Sequence, residues 1–175
     1  LKIIVKTKGG PHSGNFDHAG IPGHQGGSAP TISTVYHGTT REVAKYMQEN
    51  GLASNTSRQG ISSQANEVFT FVSPSKTSAT FYAKGNTRNA DPVVVKMQVQ
   101  GKLYEVQKRM ADYEAFGNFA RKHGIIDEKT GIYDYTVIAA KLRELGYSGI
   151  SFKDANAGGR IAYAVLPEFL TLSKE

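Results

Sequence analysis

At 175 residues, 39% hydrophobic and 21% charged, the chain has the size and balance of one globular domain with a single core. It has no cysteine, which excludes disulfides, thiol nucleophiles and thiolate metal sites and leaves hydroxyl, imidazole, carboxylate and amine groups for any chemistry. The 21 Lys and Arg against 15 Asp and Glu give +6, which favours an anionic partner, and no apolar run nears the roughly 20 residues of a membrane span, so a soluble protein without signal peptide is expected.

The chain opens at Leu1, which reads as an excised piece of a longer polypeptide. Residues 1–30 read as a flexible linker, because Gly9 to Pro30 holds seven of the 19 glycines and three of the six prolines without apolar periodicity. His12, His18 and His24 recur there every six residues, but a Gly-rich tract offers no rigid element to hold them in coordination geometry, so a tether is the reading and no metal is expected.

The organised domain spans residues 31–175. Thr31 to Gly38 is β-branched and aromatic and predicts a strand; Thr39 and Glu42 have capping-box spacing for a helix that carries Val43, Tyr46 and Met47 and stops at Gly51. Leu52 to Asn66 is polar and aperiodic, a long loop of the kind that orders around a ligand. Glu67 to Val72 predicts a second strand, with Ser73 and Pro74 as N-cap and first residue of a short helix that carries Ala79 and Tyr82 on one face and closes at Gly85. Val93 to Val99 is a strand with Lys96 and Gln98 outward, and Leu103 to Val106 continues its sheet after Gly101. Two core-facing helices follow, Arg109 to His123 and Tyr133 to Leu145. Tyr113, Phe116 and Phe119 could stack on nucleic-acid bases, but helical spacing favours core packing for the first two. Strands Gly149 to Phe152 and Ile161 to Leu166 end the series, which amounts to an α+β domain on a split or sandwiched mixed β-sheet with flanking helices.

No Walker A loop, nucleophile elbow, HExxH or dinucleotide glycine motif occurs. The segment Tyr36-His37-Gly38-Thr39 places an imidazole, a backbone open to close approach and a helix N-terminus together, although a strand-end histidine alone more often serves structure. Ser73 and Tyr82 add a hydroxyl and an aromatic plane suited to a flat ring.

These three parts in order, His37-Gly-Thr, then FTFVSPSKTSATFYA from Phe69, then GYSGISF and RIAYAVLP, resemble the ADP-ribosyltransferase superfamily of the histidine-tyrosine-glutamate type, the group of diphtheria toxin and the poly-ADP-ribose polymerases, over roughly 140 residues. The tract Gly14 to Pro30 is similar to a Gly-rich segment of Mu-type phage head-morphogenesis proteins, some of which carry C-terminal effector domains. The resemblance implies NAD as co-substrate, with His37 on its ribose, the Gly38 backbone on the nicotinamide amide and Tyr82 stacked on the nicotinamide ring. Thr39, Phe71, Ser73 and Arg58 would complete the cofactor-binding set. At the third motif position, where the family carries glutamate, Ile161 stands. Glu67, Glu105, Asp154 and Glu168 are the alternative carboxylates, each more often a surface or cap residue, and Arg41, Arg58, Lys76, Lys84 and Arg88 could meet the diphosphate or an anionic target.

The expected activity is mono-ADP-ribosyl transfer to a protein or nucleic-acid acceptor by an effector or toxin module of a phage polypeptide. It would act in the cytoplasm or be delivered there. A silent NAD- or ADP-ribose-binding domain, an NAD glycohydrolase and a virion structural domain are the alternatives.

Overall fold

The computed structural model describes residues 31–52, 65, 68–87 and 91–173. Arg58, Glu67, Arg88 and the three histidines of the N-terminal tract lie outside that set, as does most of the loop after Leu52.

In chain order the elements are β1 (Ile32–Thr40), α1 (Arg41–Asn50), β2 (Thr70–Val72), α2 (Lys76–Thr87), β3 (Pro92–Gln100), β4 (Lys102–Met110), α3 (Asp112–Lys122), α4 (Tyr135–Glu144), β5 (Tyr147–Asp154), β6 (Arg160–Val165) and β7 (Leu170–Leu172). The domain is mixed α+β with two open sheets, one in the order β1-β3-β7 and the other β2-β6-β5-β4, all antiparallel except the β4–β5 pair. Among the described residues one antiparallel bridge, Tyr36 to Ser73, joins the two sheets, with N–H···O bonds of 2.8 Å in both directions.

Helices α3 and α4 cover one face of the four-stranded sheet. The buried side of α3 is Ala115, Phe116, Phe119 and Ala120. Phe116 packs at 4.9 Å on Phe69 and edge-on to Phe71, while Phe119 meets Tyr104 at 4.9 Å. Fully burying one such side chain contributes on the order of 1.5–3 kcal/mol, so these rings dominate the core. Tyr113 therefore falls on the far side of α3 and is 57% exposed, contrary to the core placement expected from its spacing, while Phe119 is core.

Several boundaries move for identifiable reasons. The cap of α1 is Thr40, whose Oγ1 accepts from Val43 N at 3.1 Å, one residue later than Thr39, so Glu42 misses the capping-box position. Of its apolar stripe only Met47 is buried; Tyr46 is exposed. Helix α2 starts after Ser75, whose Oγ accepts from Ser78 N at 3.2 Å and whose carbonyl accepts from Ala79 N, so Ser73 is not its cap. Gly85 lies inside α2, which runs on to Thr87. Gly101, at φ 99°, does not carry one sheet onward: β3 and β4 belong to different sheets, and the chain changes sheet there. The second strand is only Thr70–Val72, and β7 was not foreseen.

Candidate functional site

His37 lies in the middle of β1. Strand alternation puts it on the face shared by Val35 and Thr39, both buried, and so toward the seam with β2. Its Nδ1 stands 2.6 Å from the carbonyl oxygen of Phe71. A carbonyl only accepts, so Nδ1 carries the proton and donates, and in the neutral ring Nε2 is left as a lone-pair acceptor. Burial lowers the His37 pKa, partly offset by the Phe71 carbonyl, which keeps the ring neutral at physiological pH. Nε2 has no hydrogen-bond partner among the described residues.

Gly38 faces the opposite side, where α2 crosses β1. A Cβ there would lie 2.0 Å from the Ala79 carbonyl oxygen and 2.8 Å from Ala83 N, so the glycine is required by helix packing. That packing fills the Cα face of Gly38; its backbone N–H and C=O, the groups expected to hold a ligand amide, lie in the plane of the sheet and share the parity of Tyr36, whose backbone pairs with Ser73. Thr39 is buried beside Gly38.

Ser73 joins three strands. Its backbone pairs with Tyr36 of β1, it directly follows β2, and its Oγ donates to the Ile161 carbonyl of β6 at 2.9 Å while accepting from Ser75 N at 3.2 Å. His37, Ser73 and Ile161 therefore meet at one seam. The Ile161 side chain is 42% exposed, and its cross-strand neighbour is Lys153, not a carboxylate. Phe71 contributes its carbonyl to His37, whereas its ring packs into the core against Phe116.

Tyr82 reaches from α2 to the end of β5, where its hydroxyl donates to Asp154 Oδ2 at 2.8 Å. Burial and the Asp154 carboxylate push the phenol far above its ordinary range, so it stays protonated. Ala79 and Tyr82, three apart on α2, meet different neighbours, Ala79 the Gly38 position of β1 and Tyr82 the Asp154 carboxylate. Tyr82 and His37 share no hydrogen bond or ring contact.

Of the alternative carboxylates among the described residues, Asp154 is the one hydrogen-bonded to a predicted site residue. Glu168 is engaged by Arg143 at 2.6 and 3.1 Å, and Glu105 is exposed on β4, accepting from Gln107. Arg41 pairs with Asp91 at 2.6 Å, and Lys76 and Lys84 are exposed. Sequence reasoning missed Asp112, whose carboxyl is pushed up by burial and by the charge of Asp154, and Arg160, whose Cζ lies 4.6 Å from the Phe81 ring centroid. Only the polar Asn-Ala-Gly-Gly-Arg run, Asn156 to Arg160, hinted at that corner.

Among the described residues no three His, Asp or Glu side chains gather as a metal site, and no helix is long and apolar enough to cross a membrane. Comparison with protein-family models, curated proteins and solved structures finds no match to this chain.

Two histidines tie stability to pH. Burial lowers the pKa of His37, and burial with Lys141 and Lys122 lowers that of His123. Below the ordinary histidine value of 6.5 the unfolded chain therefore binds more protons than the fold, and stability falls as pH drops through that value toward the folded-state pKa. Urea midpoints at about pH 7.5 and about pH 5.5 check this: the wild-type midpoint falls on acidification, and that of His37→Asn falls less.

Proposed function

We propose that this domain is an NAD-dependent mono-ADP-ribosyltransferase, with a protein or nucleic-acid acceptor. The observation that carries the reading is the seam at Ser73. The strand with His37-Gly38, the Ser73 strand end and β6 near its start at Ile161, distant in sequence, are knitted there by the Tyr36–Ser73 pair, the Ser73–Ile161 bond and the His37–Phe71 bond. These are the three segments on which the family resemblance rests, and two open sheets hinged at that seam suit a ligand slot.

Breaking the N-glycosidic bond of NAD sends the bonding electron pair to nicotinamide and leaves positive character on the ribose carbon, to which the acceptor adds as it gives up a proton. Within that chemistry His37 is a positioning group. Its Nδ1–H is held by Phe71, and neutral Nε2 accepts a hydrogen bond from a ribose hydroxyl. Tyr82 supplies an aromatic plane whose hydroxyl is anchored on Asp154, and, being protonated, it does not act as a base. With Ile161 in place of a carboxylate, the cation is supported by Asp154 or by the acceptor itself.

Ile161 also favours a second reading, a fold that binds NAD or ADP-ribose without turnover. A calorimetric titration with NAD tests the binding on which both depend. Saturable binding is expected, weakened at least about tenfold by Tyr82→Ala, a loss of about 1.4 kcal/mol. No heat of binding in the wild type overturns both. Nicotinamide release then separates the enzyme from the silent binder.

A further inference from the structure

An open depression of about 410 Å³ lies beside the Tyr82–Asp154 contact, lined by Phe81, Asn156, Ala157, Gly158, Gly159 and Arg160. Its wall is unusual for an exposed corner. Phe81 is 46% exposed although it sits on a helix packed against the sheet. The Arg160 guanidinium lies over its ring at 4.6 Å. A second guanidinium, that of Arg109, covers Gly159 so closely that a Cβ there would meet its Nε at 3.2 Å and its Cζ at 3.3 Å. Gly158 and Gly159 both have positive φ, 67° and 83°, which bends the turn around the depression.

Neither arginine is engaged by a carboxylate within ion-pair distance among the described residues. Two acids stand near and have partners of their own: Asp154 accepts from Tyr82 through Oδ2 and from Asn156 N at 2.9 Å through Oδ1, and Asp112 accepts from Tyr113 N at 2.8 Å. Arg160 makes one long contact, Nη1 to Ser78 Oγ at 3.4 Å. One guanidinium, that of Arg160, thus lines the depression plated on an exposed aromatic ring, and a second, that of Arg109, packs behind its Gly159 wall, in a chain of net charge +6.

A planar guanidinium on an aromatic face extends the stacking surface for a further flat π-system, and an unpaired guanidinium fork matches phosphate. We propose that this depression binds a single-stranded nucleic acid, one base stacking on the Phe81–Arg160 pair and the neighbouring phosphate contacting Arg109. An acidic peptide has charge for the arginines but no flat ring for Phe81, so the aromatic wall selects the nucleic acid. That the bound strand is also the acceptor rests on the transferase reading; the binding itself does not.

The test is fluorescence anisotropy of a labelled eight-nucleotide oligothymidylate with the full chain, without NAD, over a salt series. Saturable binding is expected. Phe81→Ala weakens it about tenfold, Phe81→Tyr restores it, and Arg109→Ala lowers the slope of log K against log salt by about 0.7, one phosphate contact on a single strand. Far-ultraviolet circular dichroism confirms that the variants are folded. Absence of saturable binding, binding indifferent to Phe81→Ala, or equal affinity for an oligo-aspartate peptide overturns the site. If the wild type releases nicotinamide yet leaves the bound oligonucleotide unlabelled, the acceptor assignment fails while the enzyme stands.

Discussion

Gly38→Ala is expected to cost at least about 3 kcal/mol of stability, at or beyond the upper end of ordinary overpacking. The added methyl would sit 2.0 Å from a backbone carbonyl of α2 and 2.8 Å from a backbone nitrogen. No rotamer change relieves a clash with main chain, so α2 must lift from β1 or the strand must bend. Either movement disturbs the neighbouring bridge between Tyr36 and Ser73 and so the joint between the sheets. Gly149→Ala is a second case of the same kind, its methyl falling 2.1 Å from the Ala164 carbonyl across the β5–β6 pair. Gly85→Ala supplies the contrast: it lies within α2 with nothing within 4 Å of a new Cβ, and it gains about 0.5–1 kcal/mol from the lower entropy of the unfolded chain. Urea unfolding midpoints of the three variants against wild type decide the matter, with Gly38→Ala and Gly149→Ala far below and Gly85→Ala at or above it.

The second large effect concerns His37. Replacing it by Ala is expected to lower NAD turnover at least about tenfold, or about 1.4 kcal/mol of transition-state stabilisation. Ala also breaks the bond to the Phe71 carbonyl, so a loss of activity in that variant alone mixes positioning with structure. His37→Asn separates them. Its amide NH2 reaches the region of Nδ1 and donates to Phe71, but it offers nothing where Nε2 stood. Its turnover should match that of His37→Ala while its melting temperature stays nearer to wild type. The pH profile adds an independent reading. Because burial holds the ring neutral, the acid limb of kcat/KM assigned to His37 falls below 6.5, and it disappears in His37→Asn.

Much of the frame was legible because it rests on local signals. The β-branched run into Tyr36, the strand Val93 to Val99 and the glycines closing α1, α3 and α4 each announce an element within a few residues. What stayed hidden depends on distant partners. Ser73 before Pro74 has the local chemistry of a helix cap, yet its hydroxyl goes to the Ile161 carbonyl 88 positions away, and Ser75, two residues on, caps the helix. Tyr82 reads as a free aromatic plane until Asp154, 72 positions later, takes its hydroxyl. Strand β7 is three residues long and exists through its pairing with Met97 to Val99, too short to show a period of its own. Gly38 has a reason that no local signal announces: α2 packs on its Cα face, where a Cβ would meet the Ala79 carbonyl oxygen. In the candidate site, His37, Ser73 and Ile161 come together at one seam, while Tyr82 is tied to a carboxylate at the end of β5.

The central claim is tested most directly by following nicotinamide release and transfer of labelled ADP-ribose from NAD by the full chain in a bacterial lysate, with His37→Asn alongside. Wild-type release accompanied by a labelled macromolecule is expected, both reduced at least about tenfold in the variant. Wild-type protein that releases no nicotinamide, or a His37→Asn variant as active as wild type, would contradict it.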